Sequence, residues 1–348
     1  YQGSGTSFAE YAFTFEDEQT TVELSKADLT DKKELPGASL KVTDEDGNTV
    51  DEWVSKEEAH IIKGLIVGKK YKMTETKPAD GYVTAESIEF TVENTKEVQK
   101  HQMLDDVTKV EISKKDITDS SEVPGAKLII LDKDGKKVES WTSTDKPHMV
   151  EKLPVGEYTL REEQAPDGYL IAEDVKFTVK DTGKVQKVKM KDAHPYGKLV
   201  IKKTDSTSKA ALSGAEFELR EKESGEVVEK LVTDKTGTAT SGKIPIATYK
   251  NGKVEKTVEY ILVETKAPNG YELSSKKEEI RFEYKDGKTK VIEIVKEIKN
   301  TKSPSGSTPT GNSPKTGDST NIWLPILLAV LSACGIGGVI WYKKKKGN

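Results

Sequence analysis

The sequence predicts an all-β protein: three immunoglobulin-like β-sandwich domains in tandem, then a flexible linker and one C-terminal transmembrane helix. Three observations carry that expectation. The first is repetition. VELSKADLTDKKELPGASL, from Val22, aligns without a gap to VEISKKDITDSSEVPGAKL, from Val110, 88 residues later. A looser third copy, LVIKKTDSTSKAALSGAEFEL, starts at Leu199, and a second shared block recurs as YKMTETKPADGY from Tyr71, YTLREEQAPDGY from Tyr158 and YILVETKAPNGY from Tyr260. The second observation is local pattern. Segments such as Ser39–Val42, Ile88–Val92 and Lys127–Leu131 are short and β-rich, and turn pairs such as Asp46-Gly47, Asp134-Gly135, Asp167-Gly168 and Asp286-Gly287 punctuate the chain. The third is the apolar run at Ile322 to Tyr342, with no charge inside it and four lysines after it.

Composition agrees with small domains. Of 348 residues only 34% are apolar while 33% are charged, which is thin for one large core and suits several domains with much surface each. The net charge is −4; with Lys343 to Lys346 set aside, the remainder has 51 basic against 59 acidic residues, or −8. An acidic body argues against nucleic acid as a partner, because phosphate binding needs a basic face. The single cysteine, Cys334, lies in the apolar run, so the polar body has no disulfide and no thiolate chemistry.

Taken in order, residues 1–17 read as the last strand of a truncated upstream domain, because Phe13, Phe15 and Asp17 alternate and Asp17 precedes Lys26 by nine positions, as Asp105 precedes Lys114. Without an initiator Met or a signal peptide, the chain reads as a fragment of a larger secreted protein. Domains are expected at 18–106, 107–193 and 194–301, the third with an insertion before Tyr260. Asp44-Glu45-Asp46-Gly47 lacks the further oxygen ligands of a calcium loop and reads as a hairpin turn. Residues 302–312 form a Pro/Gly/Ser/Thr linker. Residues 313–348 hold the pentapeptide Ser313-Pro314-Lys315-Thr316-Gly317, the helix 322–342 and the basic tail 343–346.

Strand side chains alternate faces, so residues two apart share one. Val22 and Leu24 then bring Lys26 to the core face, as Val110 and Ile112 bring Lys114, and Leu199 and Ile201 bring Lys203. In the second block Tyr71 and Met73 lead to Glu75, Tyr158 and Leu160 to Glu162, and Tyr260 and Leu262 to Glu264. The last strands end inward on Asp105, Asp192 and Asn300, while Lys115, Lys202, Glu163 and Asp106 should face outward. Buried charges are costly, and a buried ion pair is a poor way to gain stability. Their recurrence in phase therefore points to chemistry. A buried Lys of lowered pKa is a nucleophilic amine, and a buried carboxyl of raised pKa is a neutral electrophile. A second carboxyl can hydrogen-bond the attacked carbonyl and shuttle the proton, and contact alone can supply an effective concentration of roughly 10⁵ M or more. The product is an amide between side chains.

These blocks resemble the SpaA-like, or Cna protein B-type, repeat domains of Gram-positive surface proteins and pili, with a first-strand Lys, a Pro-Gly-Ala turn and the box YxLxETxAPxGY. The first copy departs from that box at Pro78-Ala79-Asp80. The resemblance implies isopeptide bonds Lys26–Asp105, Lys114–Asp192 and Lys203–Asn300, with Glu75, Glu162 and Glu264 as the catalytic carboxyls. The pentapeptide, apolar span and basic tail resemble an LPxTG-type sorting signal, with Ser313 in place of the usual Leu. That implies a sortase as partner, cleavage between Thr316 and Gly317, and covalent transfer of Thr316 to peptidoglycan, the membrane being occupied only before cleavage.

The expected function is a structural stalk of a wall-anchored, adhesin-like protein, with no cofactor, no metal, no nucleic acid and no turnover enzyme activity. The alternatives are a basal or wall-proximal pilin joined to other pilin subunits, and the anchor of an enzyme lying upstream. Host or extracellular-matrix ligands would bind through an upstream region. The four histidines are scattered without ligand spacing.

Overall fold

The structure, a computed structural model, describes residues 18–304. Residues 1–17, read above as an upstream remnant, the pentapeptide 313–317 read as a sorting motif, and the apolar span 322–342 lie outside the described residues. Those described are all-β, and among them no helix is long and apolar enough to cross a membrane.

The first sandwich is built from β1 (Thr21–Asp28), β2 (Ser39–Asp44), β3 (Thr49–Val54), β4 (His60–Lys63), β5 (Lys70–Lys77), β6 (Ile88–Thr91) and β7 (Gln99–Asp105). One sheet has the order β4-β1-β7 and the other β3-β2-β5-β6. The second repeats this with β8 (Lys109–Asp116), β9 (Lys127–Asp132), β10 (Lys137–Thr142), β11 (His148–Glu151), β12 (Gly156–Gln164), β13 (Val175–Val179) and β14 (Gln186–Asp192), in sheets β11-β8-β14 and β10-β9-β12-β13. The third comprises β15 (Tyr196–Asp205), β16 (Glu216–Glu221), β17 (Val227–Val232), β18 (Thr238–Thr240), β19 (Ile244–Pro245), β20 (Ala247–Lys250), β21 (Lys253–Thr257), β22 (Glu259–Lys266), β23 (Glu278–Arg281) and β24 (Val291–Asn300). Its sheets are β17-β16-β22-β23 and β15 flanked by β18, β19 and β24; the expected insertion is the separate hairpin β20–β21.

In each sandwich the first and last strands are parallel neighbours. Lys26 stands level with Met103 and Asp28 with Asp105; Lys114 is level with Met190, and Lys203 with Ile298. Parallel pairing puts the ends of both strands at the same pole, which is how residues 79, 78 and 97 positions apart come into contact. Each core lies between its two sheets. In the first sandwich it gathers Val22, Leu24, Leu40, Met73, Phe90 and Met103, all on the faces that strand alternation selects.

Asp46-Gly47 and Asp134-Gly135 are hairpin turns, where Gly47 and Gly135 hold φ of 85° and 79°. Asp44 accepts the N–H groups of Asp46 at 3.1 Å and Asn48 at 2.8 Å, so its carboxylate organises the turn rather than a cation. Asp167-Gly168 and Asp286-Gly287 sit instead in the longer connections β12–β13 and β23–β24.

Candidate functional site

The three residues expected to point inward meet in every sandwich. Lys26, Glu75 and Asp105 are 1%, 4% and 1% exposed, and the other two sets are equally buried. Lys26 Nζ donates to Asp105 Oδ1 and lies 2.9 Å from Glu75 Oε1. Lys114 Nζ donates to Asp192 Oδ1 and lies 3.0 Å from Glu162 Oε2. Lys203 Nζ donates to Asn300 Oδ1 and lies 3.2 Å from Glu264 Oε1. The three lysine–glutamate contacts are at ion-pair distance. Each Glu is anchored from behind by a backbone N–H ten residues downstream: Ala85 to Glu75 Oε2 at 2.6 Å, Ala172 to Glu162 Oε2 at 2.6 Å, and Ser274 to Glu264 Oε2 at 2.9 Å.

Electrostatics follow from this dry setting. Burial pushes the Asp105 carboxyl up to about 7; Lys26 opposes the shift and Glu75 reinforces it. Burial likewise raises Asp192 to about 7, against Lys114 and with Glu162. Burial lowers Lys203, against the pull of Glu264. Glu75 Oε1, Asp105 Oδ2, Glu162 Oε1 and Asp192 Oδ2 have no hydrogen-bond partner among the described residues. An orphaned buried oxygen on each of two neighbouring carboxyls is what one shared proton would satisfy. The third site has no such orphan, because Asn300 Nδ2 donates to Glu264 Oε1 at 2.9 Å and Oε2 at 3.1 Å.

The neighbours sort as alternation predicts. Glu163 and Lys202 are exposed, and Lys115 leans 2.7 Å from Glu122 Oε1. Asp106 turns out to Lys109 at 2.8 Å, which leaves Asp105 as the inward member of its pair.

Two recurring features were not anticipated. The Asp two residues after each of Lys26, Lys114 and Lys203 accepts the final Tyr hydroxyl of the second block: Tyr82 to Asp28 at 2.8 Å, Tyr169 to Asp116 at 2.7 Å, and Tyr271 to Asp205 at 2.9 Å. Burial opposes ionisation of Asp28, but bonds from Tyr82, the Thr30 N–H and Lys152 hold it well below the usual carboxylate range. Bonds from the Ser208 N–H and Tyr271 bring Asp205 down to about 2. Both stay anionic and are poor electrophiles. The second feature is Glu34, whose Oε2 accepts the backbone N–H of Lys26 at 3.2 Å; Glu122 does the same for Lys114 at 3.0 Å. The signals were present: Lys-x-Asp recurs in all three copies, and Glu precedes Leu/Val-Pro-Gly-Ala in two.

No group of His, Cys, Asp and Glu among the described residues could hold a metal. All four histidines pack on aromatic rings, His60 on Trp53, His101 on Phe90, His148 on Trp141 and His194 on Tyr249.

Residues 20–106, 108–194 and 197–298 each match the family model described as SpaA, a prealbumin-like fold domain. Among solved structures, the Bacillus anthracis TIE protein is 27% identical with a TM-score of 0.54, over 82% of this chain and 52% of that one. The chain thus spans about half the length of that relative. BcpA, the major pilin subunit of Bacillus cereus, is 19% identical over 82% of this chain and 100% of that one, with a TM-score of 0.48. The full-length major pilin SpaD of Corynebacterium diphtheriae is 18% identical over 84% and 99%, with a TM-score of 0.37. No curated protein matches the chain.

Proposed function

The chain belongs to the SpaA prealbumin-like fold family, and from that membership we propose that it forms the stalk of a sortase-anchored Gram-positive surface protein, each domain closed by an autocatalytic isopeptide bond. The observation that carries this reading is the dry Lys–Glu–Asp/Asn cluster repeated between the first and last strands of all three sandwiches.

The chemistry needs no external reagent. The neutral amine of Lys26 attacks Cγ of protonated Asp105. Glu75, protonated in the neutral site, donates its O–H to the carbonyl oxygen as that oxygen gains charge, and its other oxygen takes the proton the amine sheds on attack. The C–N bond forms, the C–O bond breaks, and the departing hydroxyl leaves as water with that proton. Lys114, Glu162 and Asp192 repeat the sequence. At the third site Lys203 attacks Asn300, and the broken bond is C–N, so ammonia leaves. Each reaction happens once per molecule, so this is maturation rather than turnover.

Crosslinking the parallel pair β1 and β7 has a mechanical consequence. Tension applied to the two ends of a domain enters through these two strands, and an amide between them carries it without unzipping the sheet. Closing a loop of 79 residues also restricts the unfolded chain by about 4–5 kcal/mol, the loop-closure entropy that a disulfide of the same span removes. Downstream, the Ser313–Gly317 pentapeptide, apolar span and lysine tail support transfer of Thr316 to peptidoglycan by a sortase.

Intact mass tests the crosslinks. The chain is expected to weigh less than its sequence by two waters and one ammonia, and Glu75→Ala, Glu162→Ala and Glu264→Ala together restore the full mass. An unshifted wild-type mass rules the bonds out. Release from cells by muramidase and not by detergent tests the anchor; extraction by detergent alone counts against it.

A further inference from the structure

The insertion β20–β21 plays no part in the crosslinking chemistry, yet it makes contacts that reach outside its own domain. It occupies the connection between β18 and β22, where the first two sandwiches have only the short links β4–β5 and β11–β12. Its turn is Lys250-Asn251-Gly252-Lys253, with φ of 52° at Asn251 and 69° at Gly252, the positive pair a type I′ hairpin requires. Every residue of β21 is exposed, and an isolated two-stranded hairpin is marginal in water, so something else must hold it.

What holds it is the second sandwich. The Tyr249 ring stacks on His194 with centroids 3.5 Å apart and planes 3° apart, and meets Tyr169 edge-on at 5.2 Å. The Tyr249 hydroxyl donates to the Gly168 carbonyl at 2.8 Å. His194 Nε2 lies 2.8 Å from Asp116 Oδ2, the oxygen that also accepts the Tyr169 hydroxyl. Gly252 abuts the backbone of Glu122 and Val123 so closely that a Cβ has no room, and a Cβ on Gly168 would collide with Val254. Beside the hairpin, Tyr284 donates to the Tyr169 carbonyl at 3.0 Å and the Ile171 N–H to the Gly287 carbonyl at 2.7 Å.

The same pole of the first sandwich is filled differently. There the Asp28–Tyr82 pair receives the half-exposed Lys152 side chain, whose Nζ donates to the Tyr82 hydroxyl at 2.6 Å. The Lys152 backbone abuts Gly81, and Asp181 accepts the Thr84 N–H at 2.9 Å and the Thr84 hydroxyl at 2.7 Å, but among the described residues no aromatic stack crosses this joint. We propose that the β20–β21 hairpin is a docking element that clamps the third sandwich onto the pole of the second, so that these two domains move as one body while the joint between the first and second stays more pliant. The binding surface is the Asp116–Tyr169–His194 platform, and its partner is the Tyr249 face of the hairpin in the same chain.

Distance distributions between paired spin labels on the full chain test this, in a Cys334→Ser background. Lys176→Cys with Lys230→Cys spans the second joint, and Lys72→Cys with Lys176→Cys spans the first. The second joint is expected to give the narrower distribution. Tyr249→Ala is expected to widen it at least twofold and leave the first joint unchanged. His194→Ala, on the opposing domain, is expected to produce the same widening, and the double variant no more than either alone, because both remove one stack. Amide protection of β15 and β24 should be unaltered in each. An unchanged width in both single variants, or widths that add in the double variant, overturns the clamp.

Discussion

The third proposed crosslinking site differs from the first two by one group, an Asn300 amide in place of the carboxyls of Asp105 and Asp192, and the difference is one of charge. With all groups ionised, Lys203 and Glu264 sum to zero, whereas Lys26, Glu75 and Asp105 sum to −1, as do Lys114, Glu162 and Asp192. A buried net charge is expensive, so the first two sites must take up a proton that the third does not need. The structure carries this signature: carboxyl oxygens orphaned in pairs and carboxyls raised to about 7 at the Asp sites, and a glutamate fully engaged by the amide at the Asn site. Moving one proton from Lys203 to Glu264 makes the whole third site neutral without drawing on solvent.

The hardest test of what the sites share is removal of the carboxyl common to both kinds. Glu75→Ala, Glu162→Ala and Glu264→Ala are each expected to slow their own crosslink by about 10²–10⁴-fold, the usual worth of general acid–base catalysis. Mass spectrometry should show one leaving group retained per variant, and denaturation should show the affected domain weakened by about 4–5 kcal/mol from the lost loop closure. Ammonia loss at an undiminished rate in Glu264→Ala would separate the third site from the other two and remove its glutamate from the chemistry.

The next effect separates the two kinds of site. The reactive acid form of Asp105 is populated below about 7 and lost as pH rises through that value. Crosslinking of a chain recovered unfolded and then refolded should therefore slow by about tenfold per pH unit above 7 at the first two sites and stay nearly level at the third. Stability before crosslinking follows the same sign. A folded-state pKa raised from 3.8 to about 7 means the fold binds a proton the unfolded chain has released, so the uncrosslinked first domain weakens as pH climbs across that window. Exchanging the groups should exchange the profiles: Asn300→Asp turns the lost ammonia into water and brings in the pH dependence, and Asp105→Asn does the reverse. Profiles that stay with the domain and not with the residue would place the control elsewhere.

The buried Lys–Glu–Asp/Asn triads were legible as a placement because they obey period two and recur in register, so Lys26 follows Val22 and Leu24 onto the core face as surely as Lys203 follows Leu199 and Ile201. Tandem β-sandwiches were legible for the same reason. What could not be read is what depends on non-local backbone approach. The parallel pairing of β1 with β7 is set by topology, and the Glu75 anchor is an N–H from Ala85, which has no side-chain signature. The reach of β20–β21 to His194 was visible only as extra length. Asp28 shows the limit of face arguments: it shares the inward side with Lys26 but is kept anionic by Tyr82, so alternation alone does not choose the electrophile.

The smallest effect concerns how the backbone of the proposed nucleophilic lysine is held. Lys26 and Lys114 lie beyond the reach of β4 and β11, so their N–H groups have no antiparallel strand partner and are taken by Glu34 and Glu122. The third copy has Ala211 at that place, and the Lys203 N–H goes instead to the Gly237 carbonyl at 2.7 Å. In all three, the following loop returns an N–H to the lysine carbonyl, from Leu35, Val123 or Leu212. Both sides of each lysine are therefore fixed, its N–H by a side chain twice and by backbone once. Glu34→Ala is expected to destabilise the first domain by about 1–3 kcal/mol, the cost of an N–H left without its partner. It should also slow that crosslink a few-fold while the third is untouched, and Glu34→Gln should restore most of the rate. In the third domain the matching lesion is Gly237→Ala, because φ of 72° and a Cβ directed at the Lys203 carbonyl leave no room for a side chain. Equal slowing by Glu34→Ala and Gly237→Ala, each confined to its own domain in a mass time course, would show two different holds doing the same positioning; a Glu34→Ala chain that crosslinks at the wild-type rate would show that the carboxylate only caps the strand.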